Sequence, residues 1–446
     1  MNIAVRALAF VLVFSLLIPV HASAMVTPIL AENTSSATLS STLERWIPLS
    51  ANGGNARSAS DTNRQVFPIS GTLKNLRVHI GDALSAGTSY TITVYKNGVA
   101  TGLTCTVTDA ALTCNDLVNT VSIAAGDFAS VRILPTNSPV GSDELRIGVA
   151  FEGGTPGETF ILGWGSGANA TINSYASPGW ATSFTTPEFS RASVFPTSGT
   201  IDNLHVYLRS TAPGAGRSWT WYLRKGTSIN TMATTSLTCQ IADTATTCTD
   251  PTNSVSVSAG DVLSFVAVPS GTPSNTTHSY SFRFRPTIDG ESVMMAHTNN
   301  SLSVGVTRYI PTGGLVLNGA QGTNATGTMA VAPVPFTWRK LYTDFNTAPG
   351  GVTSRTISAN LNEVVQSLSC AVSGTNTTCN DLNNSISVAA GDLITWQSTT
   401  SGSPAASANI RVSGVMFIDP STVTYGQPRF FNLGTMLLRA GTLIFR

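Results

Sequence analysis

The chain has 446 residues, the length of about three ordinary domains, and only 11% of them are charged, while Ser and Thr make up about a quarter. With 42% hydrophobic residues and a formal charge of +1, self-repulsion cannot keep such a chain open, so charge-driven disorder is excluded. A nucleic-acid partner is excluded on the same balance, because phosphate binding needs a basic excess.

Residues 1–24 have the pattern of an export signal. Arg6 is followed by an apolar run over 7–20, and Ala22-Ser23-Ala24 forms a small-x-small cleavage site. Cleavage leaves a Ser/Thr-rich segment at 25–43 and, with Arg6 gone, 24−1=23 basic residues against 23 acidic ones. No later stretch reaches 18 consecutive apolar residues. The chain is therefore expected to be secreted or held at a cell surface, with no transmembrane segment after cleavage.

Three units are expected next, at 44–157, 158–290 and 291–420. Their mark is cysteine spacing: Cys105 and Cys114, Cys239 and Cys248, Cys370 and Cys379 are always nine apart, and the pairs recur after 134 and 131 residues. Five residues past each second Cys come Asn119-Thr120-Val121-Ser122-Ile123, Asn253-Ser254-Val255-Ser256-Val257 and Asn384-Ser385-Ile386-Ser387-Val388. Each run leads into a turn, Ala125-Gly126-Asp127, Ala259-Gly260-Asp261 or Ala390-Gly391-Asp392, and Pro139, Pro273 or Pro404 stands twelve residues beyond the Asp.

Within each unit the period is that of β-strands. Val121 and Ile123 alternate with polar neighbours, as do Val255 and Val257, and after the Gly-Asp turn Ala129, Val131 and Ile133 share a face. Turns break the pattern every 8 to 12 residues, the spacing of a sandwich or barrel, and Asn97-Gly98 is a type I′ hairpin signal. The fold class is all-β: three tandem antiparallel β-sandwich (jelly-roll) repeats, each with a hairpin disulfide. In a hairpin centred on Asp109-Ala110, Cys105 falls opposite Cys114 at a distance a disulfide spans. The equivalent turns are Asp243-Thr244 and Gly374-Thr375, and the repeat selects these local pairings among fifteen.

Val94-Tyr95-Lys96-Asn97-Gly98 followed by Val121-Ser122-Ile123-Ala124-Ala125-Gly126-Asp127 resembles the Lys-Asn-Gly hairpin and Gly-Asp strand of the tumour necrosis factor and complement globular-head jelly rolls. The match covers about a quarter of each unit; Arg224-Lys225-Gly226 and Asn360-Leu361-Asn362 stand in the hairpin's place in units two and three. The resemblance implies a ten-strand jelly roll with neighbouring termini that packs in threes, and it transfers no catalytic residue.

Arg45-Trp46-Ile47-Pro48 and Arg308-Tyr309-Ile310-Pro311 read as opening strands of units one and three, with Ile161-Leu162-Gly163-Trp164 as the weaker counterpart in unit two. The polar segment 285–307 reads as a linker, which favours beads on a string over a compact pseudo-trimer. Residues 421–446 form an apolar strand segment carrying Phe430, Phe431, Leu437, Leu438, Leu443, Ile444 and Phe445, a candidate assembly strand that completes its own sheet or adds to that of a second molecule.

Candidate sites are few. Trp221 aligns with Ile92 and Ile357 and is expected in the core, whereas Trp219 aligns with Tyr90 and Arg355 and is the candidate ligand contact. Asp127, Asp261 and Asp392 are read as turn formers before calcium ligands. His79, His205, His278 and His297 have no metal-ligand spacing, and Ser166 is one residue late for a nucleophile elbow. No catalytic, cofactor or metal site is assigned. The expected function is a secreted structural or adhesive protein of a cell surface or extracellular assembly that self-associates into filaments or trimer-like particles. A lectin-like glycan receptor is the alternative, and a jelly-roll glycosidase or lyase the third reading.

Overall fold

The computed structural model of the chain describes residues 24–33, 39–50, 58–140, 144–179, 181–209, 211–275, 277–298, 302, 304–316, 325–405 and 410–422. Every regular element among them is a β-strand or a one-turn 3-10 helix. Six sheets pair into three sandwiches, antiparallel throughout except for two short edge strands, Ala181–Ser183 beside Thr159–Ser166 and Gly314–Val316 beside Glu291–Thr298, which run parallel to their neighbours. In each, the inner sheet runs from an opening strand (Ala24–Asn33, Thr159–Ser166, Glu291–Thr298) to a closing strand (Leu145–Pro156, His278–Pro286, Ile410–Phe417). It continues to a central strand (Gly71–Ile80, Gly199–Leu208, Phe336–Phe345) and the strand of the second Cys. The outer sheet runs from a rim strand (Arg45–Ile47, Ser174–Ala176, Arg308–Ile310) through the strand after the Gly-Asp turn to the hairpin whose second arm holds the first Cys.

Local sequence accounts for most of this. Val121 and Ile123 are buried and Ser122 is exposed, as the alternation requires. Asn97 and Gly98 both take positive φ, 51° and 81°, the type I′ geometry. In unit three Asn362, at φ 49°, takes the place of Asn97; both amides donate to the Gly-Asp carboxylates, Asn97 to Asp127 at 2.7 Å and Asn362 to Asp392 at 2.9 Å. Those carboxylates also accept the N–H of the residue three before, so they do turn the chain.

The three expected cysteine pairs are bonded, with Cα separations of 5.7, 5.8 and 5.9 Å, but the two cysteines of a pair do not face each other across a hydrogen-bonded hairpin. The two arms of each hairpin belong to opposite sheets. Cys105 pairs with Ile92 in the outer sheet and Cys114 with Val78 in the inner one, so the bond joins the sheets at the open end of the sandwich. An Asp two residues past each second Cys reinforces it. Asp116 accepts from the backbone of Thr104 on the outer sheet (3.0 Å) and from Val118 and Asn119; Asp250 and Asp381 repeat the arrangement. Burial opposes ionisation of these three groups, but the hydrogen bonds outweigh it and hold each carboxyl below its usual value.

Four expectations need correction. The Ser/Thr-rich segment expected at 25–43 is not separate from unit one: the strand Ala24–Asn33 is that unit's opening strand, paired along the closing strand. Ile161-Leu162-Gly163-Trp164 lies in the corresponding opening strand of unit two, and the counterpart of the Arg45 and Arg308 strands is Ser174–Ala176. Residues 285–307 are not a linker, because Glu291–Thr298 is a buried strand. Its one charged residue is satisfied internally: the fully buried Glu291 carboxylate receives Arg339 at 2.7 Å and Lys340 at 2.5 Å.

Nor are the units beads on a string. The short strand before the central strand of each unit packs on the closing strand of the next: Gln65–Val66 on unit two, Ser193–Val194 on unit three, and Ala330–Val331 back on unit one. The ring closes after three. The opening strands line its axis and show why. They are apolar on both faces, so Ile29 and Ala31 fill the core of unit one while Leu30 joins the core of unit three. Phe160 and Leu162 of unit two likewise join unit one, and Met295 of unit three joins unit two. Each such side chain removed from water contributes roughly 1.5–3 kcal/mol.

Candidate functional site

Between units two and three the outer surface opens into a cleft of about 800 Å³. Its base is an ion pair between neighbouring strands. Arg411, on the closing strand of unit three, is 1% exposed and donates from Nη1 to Asp344 Oδ2 on the central strand (2.7 Å) and from Nη2 across the seam to the carbonyl of Phe189 (2.7 Å). The Asp344 side chain keeps 15% of its surface open to the cleft. Burial lifts its carboxyl above the usual carboxylate range while Arg411 pulls against that rise. Beside it Tyr342, whose phenol burial also pushes up, lies against the Gly260 turn of unit two.

The walls come from both units. Unit two supplies the 3-10 turn Glu188–Ser190, where Phe189 is 44% exposed, and the hairpin loop 226–232 with its own 3-10 turn Ile229–Thr231. Unit three supplies Thr377, Thr378 and Asn380 beside Cys379. One ion pair fixes both unit-two walls. Arg224 holds Glu188 through two hydrogen bonds, 2.7 and 3.2 Å, and donates to the Met232 carbonyl at the end of the loop at 2.9 Å. Ser264 adds a further bond to Glu188 at 2.5 Å.

The position of Asp344 carries a different side chain at each seam. Between units three and one it is His79, which accepts from the buried Arg146 at 2.7 Å while Arg146 also reaches Glu144 and the Thr326 carbonyl. Burial, reinforced by Arg146, pulls the His79 imidazole down to about 4. Between units one and two it is Tyr207, whose ring centroid lies 4.4 Å from that of Phe128. In that seam Arg209 donates to Asn63 at 3.2 Å, and Ser279, which stands where Arg146 and Arg411 stand, accepts from the Val66 N–H at 2.9 Å.

The expected ligand contact is not at this site. Trp219 is 0% exposed and packs with Trp221 and His278 in the core of unit two. The set Tyr90, Trp219 and Arg355 is varied because each buried side chain carries a polar tip to a loop carbonyl: Leu39, Ser274 and Leu302 respectively. The six cysteines are all in disulfides, and Cys379 borders the cleft. Phe430, Phe431, Leu437, Leu438, Leu443, Ile444 and Phe445 lie outside the described residues. Sequence reasoning missed Asp344 and Arg411. The signal was there: Arg146 and Arg411 stand at the same place in aligned apolar strands, Leu145-Arg146-Ile147 and Ile410-Arg411-Val412, in a chain poor in charge. Compared with known proteins, the chain matches no protein-family model and no curated protein sequence.

Proposed function

We propose that the chain is a secreted structural or adhesive protein of a cell surface or extracellular assembly, acting as a single-chain head of three jelly-roll units. The observation that carries this reading is the closed ring. Three heterologous seams are satisfied within one chain, leaving a compact body with its chemistry at outer loops and clefts. Closure in threes is also what the resemblance to the tumour necrosis factor and complement globular-head jelly rolls implies. Three disulfides support an oxidising compartment outside the cytosol, and among the described residues no helix is long and apolar enough to cross a membrane.

Both carboxylates of the cleft, Asp344 and Glu188, are tied in ion pairs, which favours binding over the acid–base work of a glycosidase. Filament formation rests on the apolar stretch 430–445, and deleting 425–446 tests it: polymers that persist after deletion exclude that stretch as the link. For the reading as a whole, cells producing the protein are fractionated and the exported material is viewed by negative stain. Compact three-lobed particles retained on the surface or matrix are expected. Protein recovered wholly free in the medium would overturn the adhesive reading.

A further inference from the structure

We infer that the cleft between units two and three is a binding site for a neutral oligosaccharide, a proposal that deepens and rests on the adhesive reading above. The first ground is asymmetry. Units one and three turn their equivalent hairpins with two residues, Asn97-Gly98 and Asn362-Glu363, as the pairings Lys96 with Val99 and Leu361 with Val364 require. Unit two pairs Lys225 with Ala233 and so places seven residues, 226–232, in that loop. This extension, in the one hairpin of the three that faces the seam with unit three, forms a wall of the cleft.

The second ground is chemistry. Sugar recognition needs acceptors and donors for hydroxyl groups together with an apolar face for the ring. The cleft has the part-open carboxylate of Asp344, the amides of Asn230 and Asn380, the hydroxyls of Thr227 and Thr378, and the exposed ring of Phe189. The third ground is charge. Arg411 is buried and committed to Asp344 and Phe189, and Arg224 is committed to Glu188 and Met232, so the accessible charge at the base is a carboxylate. That selects against phosphates and acidic sugars. The fourth is preorganisation: because Arg224 already fixes both unit-two walls, binding need not order them, and the entropic cost of forming the site falls.

The full-length secreted protein is tested against an array of neutral gluco-, galacto- and N-acetylhexosamine oligosaccharides, with poly-lysine as a cationic competitor. Hits are quantified by saturation-transfer NMR. At least one neutral oligosaccharide is expected to bind, and Phe189→Ala and Asp344→Asn each to weaken it about tenfold or more. Tyr207→Phe, at the equivalent place in another seam, should leave binding unchanged. Phe189 is on an exposed turn, so its variant carries the test even where Asp344→Asn folds poorly. The inference is overturned by an array without neutral ligands, by wild-type affinity in the Phe189→Ala protein, or by binding that poly-lysine alone provides. Surface retention of the same variants is scored in parallel: glycan binding absent with retention intact removes the cleft and leaves the adhesive reading, whereas loss of retention in the wild type removes that reading itself.

Discussion

Replacing Arg411 by Met removes the one group that ties Asp344 and the Phe189 carbonyl together across the second seam. The methionine fills much of the same space, so the loss is mainly electrostatic. Breaking a buried pair by removing one partner costs about 3–5 kcal/mol, and because the Asp344 side chain is 15% open to the cleft, water relieves part of this, leaving an expected cost of about 3 kcal/mol. Converting Asp344 to Leu as well removes the stranded charge, and only the orphaned carbonyl remains, at about 1 kcal/mol. The assay is urea unfolding followed by tryptophan fluorescence, because Trp219 and Trp221 report on unit two and Trp338 and Trp396 on unit three. The single variant should also depend on pH. Without the guanidinium, burial alone raises the Asp344 carboxyl above its unfolded value. The deficit is then full above that raised pKa and shrinks as the pH falls through it toward the unfolded value near 3.9. A single variant with the wild-type midpoint, or a double variant no more stable than the single, refutes the reasoning.

Three further outcomes are expected. Replacing Cys105 and Cys114 together by Ser should cost about 2–3 kcal/mol on the chain-entropy model, read as a lowered urea midpoint; non-reducing peptide mapping of the wild type should return only the three local pairs, and a bond between units would contradict the fold. Burial lowers both His79, to about 4, and His297, so the folded chain resists protons that the unfolded chain accepts near 6.5. Their contribution is intact above pH 6.5 and is lost as pH falls toward 4, so melting temperature should drop over that window, and a flat profile would count against the buried neutral imidazoles. A Cβ on Gly163 would lie 2.0 Å from the Tyr280 ring, so Gly163→Ala should destabilise by about 1–3 kcal/mol, and an unshifted thermal melt would show that the two strands pack more loosely than described.

What the sequence made legible follows from what each residue faces. Val121-Ser122-Ile123 lies on a half-buried strand, so alternation announced it, and Cys105 with Cys114 announced the hairpin through its repetition. The opening strands are hard to see in the sequence because Ile29 and Leu30 are buried on opposite faces, in different units, and such a strand shows no period of two. Glu291 makes 285–307 look like a solvated linker because composition alone cannot tell a polar residue in water from a buried one held by ion pairs. Trp219 looked like a surface residue because its aligned partners differ, when what those partners share is reach rather than hydrophobicity. The cleft was beyond reach, since Phe189 and Arg411 are brought together only by ring closure.

The covalent continuity of the ring bears on dilution. Three separate chains meeting at such seams obey mass action and come apart as concentration falls. Joined in one polypeptide, each unit sees its neighbours at a local concentration in the millimolar range, about that given by a short tether, however dilute the solution. The joining also releases the seams from identity. A homotrimer must place the same residue at all three, whereas this chain holds His79, Tyr207 and Asp344 at one equivalent position. A substitution can therefore reshape one interface without touching the other two, and the particle carries one copy of its cleft rather than three.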